Sequence, residues 1–217
     1  MYYKNINRNT FFIMHLSEGI LSLPILAGGG VVAVLGTAVG LKRLDYDHII
    51  GTALLSSAFF VASLIHVPLG PASVHLVLNG LVGILLGWAS VPAIGVALLL
   101  QALLFGYGGL TVLGVNIVIM AAPAVLVSLL FGRMVKKSGK QQMLGAFLAG
   151  ATAILLSTIL LALAMIGTDS SFIDTAGLLL IAQLPLMLIE GTITMFVLSF
   201  LARVQPELLH LNPAPTP

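Results

Sequence analysis

Cysteine is absent from all 217 residues, which excludes disulfides and thiolate metal ligands. Charge is nearly as scarce. Asp, Glu, Lys and Arg together make up 7% of the chain, against about 25% in an ordinary soluble domain. A chain this poor in charge cannot clothe itself in polar surface. The net charge is only +2, and the few basic residues stand beside apolar runs rather than forming a face of their own. That pattern excludes a nucleic-acid partner. No Gly-x-x-x-x-Gly-Lys-Ser/Thr loop is present, so no phosphate cradle for ATP is encoded. The apolar runs are continuous, without the alternation that barrel strands show over about ten residues.

What remains is lipid-compatible. Hydrophobic residues make up 59% of the chain, and the mean hydropathy is +1.15. A bilayer core of about 30 Å is crossed by about 20 helical residues, which leaves room for six to eight spans in one domain. The expected fold is an all-α integral membrane protein, a bundle of about seven transmembrane helices. The spans are expected over residues 19–41, 48–66, 72–88, 92–105, 111–132, 142–166 and 177–202. Residues 1–13 form a polar leader and 205–217 a proline-rich tail, expected to be disordered. His15, Ser17 and Glu18 interrupt the apolar run that a cleaved signal would need. The leader is therefore expected to be dispensable, with Met14 an alternative initiator.

The basic residues set an orientation. Lys42 and Arg43 follow the first span, Arg133, Lys136, Lys137 and Lys140 the fifth, and Arg203 the seventh. All are exits from odd-numbered spans, so they share one side, and Lys and Arg mark cytoplasmic loops. The expectation is an N-terminus outside and a C-terminus in the cytoplasm. His15, His66, His75, Tyr107 and Asp169 then fall on the outer side, and His48 on the inner.

Histidine at a membrane edge needs a partner, and imidazole suits nickel, cobalt, copper and zinc. His15 and His75 each stand at an outward-facing span end, so they are the candidate metal ligands. Ser73 is the expected N-cap of the third span. The positive helix end beside His75 disfavours a bare cation, unless the ligand set brings negative charge. An N-terminal Met-His unit brings it. If Met14 began the mature chain, its amine, the deprotonated His15 amide and the His15 ring would give three nitrogens for tetragonal nickel or cobalt, with His75 the fourth.

His66 lies in the loop before His75, as a further lining residue or a solvated histidine. Asn79, four residues after His75, would orient its ring or join two helices. Asn116 and the Tyr107-Gly-Gly109 turn line the site or serve as scaffold. Glu18 reads as a cap on the first span rather than as a ligand. Glu190 is mid-span with no basic residue at that depth, so it is expected to be neutral or bonded to Gln101 or Asn116. Gly36 and Gly40, and Ala58 and Ala62, form small-residue faces, for packing within the chain or for docking a partner. The methionines of the spans read as core filler.

Four stretches carry a resemblance: Met-His-Leu-Ser-Glu-Gly at 14–19, Ser-Val-His-Leu-Val-Leu-Asn-Gly at 73–80, the run from Gln101 through Gly-Tyr-Gly-Gly to Asn116, and Ile-Glu-Gly at 189–191. Together they resemble the CbiM/NikM family, the substrate-binding membrane components of energy-coupling-factor cobalt and nickel importers. The resemblance spans residues 14–204. It implies seven helices, an outside N-terminus inserted into the protein, and metal held by Met14, His15 and His75. It also implies that Co(II) or Ni(II) is transported rather than kept, with no organic cofactor. ATP hydrolysis would come from partners, a transmembrane coupling subunit and two cytoplasmic ATPases. The departure is the leader, since family members start at the Met-His pair.

Two other classes stay open on the residues. A secondary permease for metal or a small solute would work without ATPases, but such carriers use rows of intramembrane charges and this chain offers one carboxyl. A membrane metalloenzyme would need an open coordination position and a base beside the metal, for which only Glu18 is near.

Overall fold

The computed structural model describes residues 18–69 and 72–210, with backbone alone for 66–69, 72–75 and 210. Its helices are α1 (Leu23–Lys42), α2 (Ile49–Leu64), α3 (Asn79–Leu86), α4 (Ser90–Phe105), α5 (Leu113–Val135), α6 (Lys140–Thr168), α7 (Ile173–Ala182) and α8 (Leu184–Val204). Two short strands, β1 (His66–Leu69) and β2 (Ala72–His75), stand between α2 and α3. Six stretches among the described residues are long and apolar enough to cross a bilayer, with α3 and α4 together forming one of them. The chain is an all-α membrane bundle, and the hairpin is a local departure inside it.

The centre of the bundle is α3, held between α5 and α6. Seven of its eight residues are buried. Small residues make this possible. A Cβ on Gly83 would overlap the backbone of Ala124 on α5, and one on Gly80 would lie 2.7 Å from Gly150 Cα on α6. Backbones approach closely here because lipid supplies no hydrophobic drive between helices, and packing must. The outward faces of α1, α2 and α8 keep large apolar side chains exposed, among them Leu35, Ile50 and Phe196, as a lipid-facing surface requires.

The third span starts later than the sequence suggests. Residues 66–69 and 72–75 pair as an antiparallel hairpin, and the helix begins only at Asn79. Ser73 lies in β2 opposite Pro68, so it is not the N-cap of α3. That position is Leu78, in the left-handed region at φ 54. At a rise of 1.5 Å per residue, α3 covers only about 12 Å, less than half of a bilayer core. The last span also differs. It divides at Gln183 into α7 and α8, because Pro185 cannot donate to Ile181 and disfavours helical geometry before it.

The first residues of the expected tail are helical. Pro206–His210 forms a 3-10 turn, and Leu209 packs with Leu81, Leu85 and Leu198. The leader and residues 211–217 lie outside the described residues.

Both small-residue faces resolve differently. A Cβ on Gly40 would strike Pro92 and the Trp88 carbonyl, so Gly40 is covered by α4 and the turn before it, whereas one on Gly36 would only touch Val91 and Gly36 stays half-buried. Ala62 is buried while Ala58 is exposed, so these two do not share one open face.

Candidate functional site

The connection from α2 to α3 is the unusual part of the bundle. Its backbone is extended, whereas a membrane helix would satisfy every N–H internally. Such backbone is tolerated only where protein buries and satisfies it. The register of the hairpin sets His66 directly opposite His75, with Val67 opposite Val74. The chain then runs through Leu76 to Leu78 and turns into α3, whose first intrahelical bond is Val82 N–H to Leu78 O at 2.9 Å.

Glu190 supplies what this turn lacks. The side chain is buried, two turns into α8. Its Oε1 accepts from Val77 N–H and from Leu78 N–H (3.2 Å), and its Oε2 accepts from Leu78 N–H at 3.0 Å. The carboxyl thus accepts from the N-cap residue Leu78 and from Val77 before it, as the N3 carboxylate of a capping box accepts from an N-cap N–H. The expected pairing of Glu190 with Gln101 or Asn116 gives way to this backbone clamp. Gln101 donates instead to Ser63 Oγ.

Asn79 follows at once. It is fully buried, and its amide nitrogen donates to Met120 O at 3.2 Å on α5 and to Ser157 Oγ at 2.9 Å on α6. Among the described residues its Oδ1 has no hydrogen-bond partner. Since His75 is in a strand and Asn79 opens a helix, the two are not related by one helical turn. Asn79 joins α3 to both neighbours. Asn116 is buried one turn into α5, and its N–H donates to Val112 O.

Glu18 has a different task from the one expected. α1 begins at Leu23 with Ser22 before it, so Glu18 is not its cap. Its carboxylate accepts from Thr111 N–H at 3.1 Å, in the turn between α4 and α5. Gly109, at φ +104, leaves room for it, and a Cβ there would overlap the Glu18 side chain. Ser22 N–H donates to Thr168 Oγ1 at 3.2 Å. The segment that follows Met14 and His15 is therefore tied to α5 and α6. Glu18→Ala removes one exposed bond worth about 1 kcal/mol, so metal retention measured by titration is expected to fall about fivefold, far less than for a lost ligand.

Met14 and His15 lie outside the described residues, and the side chains of His66, Ser73 and His75 are likewise outside them. Among the described residues no three His, Asp or Glu side chains gather as a metal site. What sequence reasoning missed is the Glu190 clamp. A signal was present: one buried carboxyl with no cation at its depth, and a proline-rich loop whose amides needed an acceptor.

The cobalt uptake substrate-specific transmembrane region, CbiM, matches residues 15–208. A "Putative metal transport protein" of Haemophilus influenzae is 42% identical over 204 residues, covering 91% of this chain and 97% of its own. A "Putative fused nickel transport protein NikMN" of Archaeoglobus fulgidus is 32% identical over 213 residues, covering 93% of this chain and 70% of that one. The crystal structure of a truncated transition metal transporter superposes with TM-score 0.70 at 27% identity, covering 87% of this chain and 98% of that chain. Family association with energy-coupling-factor systems implies coupling and ATPase partners. The chain belongs to the CbiM/NikM family: it is a multi-pass protein of the cytoplasmic membrane, not an enzyme, and the substrate-binding component of an energy-coupling-factor importer whose transported substrate is Co(II) or Ni(II).

Proposed function

We propose that the protein captures its metal ion at the outer face, with its N-terminus outside and its C-terminus in the cytoplasm, and hands the ion to partners for ATP-driven import. The partners are a transmembrane coupling subunit and two cytoplasmic ATPase subunits. His75 and His15 are the ring ligands, and Met14 adds its free amine once residues 1–13 are absent. The single observation that carries this reading is the register of the hairpin, with His66 opposite His75 shortly before α3. Residues directly opposite across an antiparallel pair lie near enough for both rings to serve one ion, and the N-terminal unit supplies the remaining nitrogens. His66 lines the ion's entry or completes the set.

The ligand chemistry explains why the start of the chain matters. A free amine followed by a deprotonated amide and a ring nitrogen brings negative charge and a strong field, which suits tetragonal cobalt or nickel. An internal Met14 offers only an ordinary peptide amide. The test compares the full chain with one beginning at Met14, both purified from membranes, their N-termini sequenced and their bound metal measured. The chain beginning at Met14 is expected to retain near one equivalent, and a chain retaining Met1 much less. Equal retention by a chain proven to keep Met1 would remove the amine from the ligand set. The same preparations with His75→Ala are expected to lose the ion, and His66→Ala to weaken it.

A further inference from the structure

At the end of the bundle away from the hairpin, two cavities meet. One, of about 480 Å³, runs between α1 and α5 and is lined only by apolar and aromatic residues. The other, of about 570 Å³, lies at the C-terminal ends of α1 and α5 and is lined by Arg43, Arg133 and Lys136. Trp88, Val125 and Leu129 line both, so the greasy groove opens into the basic pocket. Arg43 holds its guanidinium over the Trp88 ring, 4.9 Å from its centre, at the junction of the two.

We propose that this compound cavity binds an anionic phospholipid, its phosphate in the basic pocket and an acyl chain along the groove. Both halves point to the same ligand. Three cationic side chains converging on one pocket suit a phosphate diester, and arginine suits it best because its planar fork donates in pairs. Basic pockets between transmembrane helices at the basic side of a protein are the usual setting for anionic headgroups. A free phosphate has no use for the apolar groove, and a neutral lipid has no use for three cations. The Arg43–Trp88 stack fixes one cation where glycerol meets chain. A lipid seated there touches α1, α4 and α5 at once, and joins the end of the bundle where α1 and α5 leave the membrane.

The full chain in a mild detergent is incubated with phosphatidylglycerol or phosphatidylcholine, and lipid adducts are counted by native mass spectrometry. Phosphatidylglycerol is expected to be retained in preference. The variant Arg43→Gln/Arg133→Gln/Lys136→Gln is expected to lose that preference by about tenfold. Leu129, exposed in the groove, gives an independent arm that leaves all three cations in place. Leu129→Trp fills the groove and is expected to cut adducts by a similar factor. Equal retention of the two lipids by the unaltered protein overturns the proposal. So does a Leu129→Trp protein that keeps its adducts, or displacement of the lipid by inorganic phosphate at matched concentration, since either shows that the headgroup alone is bound.

Discussion

Glu190→Ala is expected to weaken Co(II) or Ni(II) retention by a hundredfold or more, as large an effect as losing a ligand, although Glu190 is not itself proposed as a ligand. The reasoning runs through the backbone. Val77 is fully buried, and its N–H and that of Leu78 find their acceptor in the Glu190 carboxyl. Each buried donor left unpaired costs about 1–3 kcal/mol. The two together exceed what a left-handed, non-glycine Leu78 leaves to spare, because αL geometry costs about 1–2 kcal/mol for an L-residue. The turn then opens, and His75, two residues upstream, loses its fixed position. Glu190→Gln separates geometry from acidity. Oε1 alone accepts from both N–H groups, and a glutamine keeps an oxygen there, so its retention is expected within a few fold of the unaltered protein. Glu190→Asp draws the oxygens back by a methylene and is expected to resemble the alanine variant. Titration of purified protein with Ni(II) gives the comparison. An alanine variant that binds as tightly as the parent would show that the hairpin holds itself.

The bundle was legible because its signal is redundant. A span of about 20 apolar residues survives errors of several residues, and α1, α5 and α6 start and stop within four residues of the expected bounds. The hairpin was not legible. Its strands are four residues each, too short for alternation to register, and they continue an apolar run that reads equally as helix. The prolines at 68 and 71 gave the loop away but not its pairing. Leu78 in a left-handed conformation has no sequence signature at all, since only the surrounding structure can hold a leucine there. The break at Gln183 could have been read from Pro185, but a long apolar run invites one continuous span.

The candidate site was legible in its parts and less so in its arrangement. The sequence singles out both His66 and His75, yet as loop and helix start. Antiparallel pairing, a long-range property of ten residues, set them opposite one another. The sequence singles out Glu18 and Glu190 as well, the first as a cap and the second with a side-chain partner. Both instead hold backbone N–H groups far along the chain, at Thr111 and at Val77 and Leu78. In a protein with so few charges, a carboxyl is spent on whichever backbone the helices leave unsatisfied, and sequence distance is no guide to where that is.

The same clamp depends on glycines, and Gly150→Ala tests how closely. Gly150 lies where α6 crosses α8. A Cβ there would sit 2.6 Å from the Glu190 carbonyl oxygen, 2.6 Å from Thr194 Oγ1 and 2.9 Å from Gly191 Cα. Two of these three neighbours are backbone, which cannot rotate away. On the other side, Gly80 at the start of α3 rests on Gly150 itself. Three helices therefore meet at one point without a side chain between them, and Glu190 reaches Val77 because α8 lies this near. Adding one methyl forces α8 outward by several tenths of an ångström. Overpacking of this kind costs about 1–3 kcal/mol, and here it also stretches the bonds to Val77 and Leu78. The expected result is a lower melting temperature in detergent, together with loss of metal retention like that of Glu190→Ala. Gly28→Ala is the matching control. Gly28 is also mid-helix, in α1, and a Cβ there meets nothing within 4 Å. Alanine is favoured over glycine inside a helix by about 1 kcal/mol, so this change is expected to hold or raise the melting temperature and leave metal retention unchanged. If the two substitutions behaved alike, close approach at Gly150 would not be what keeps Glu190 within reach of the turn.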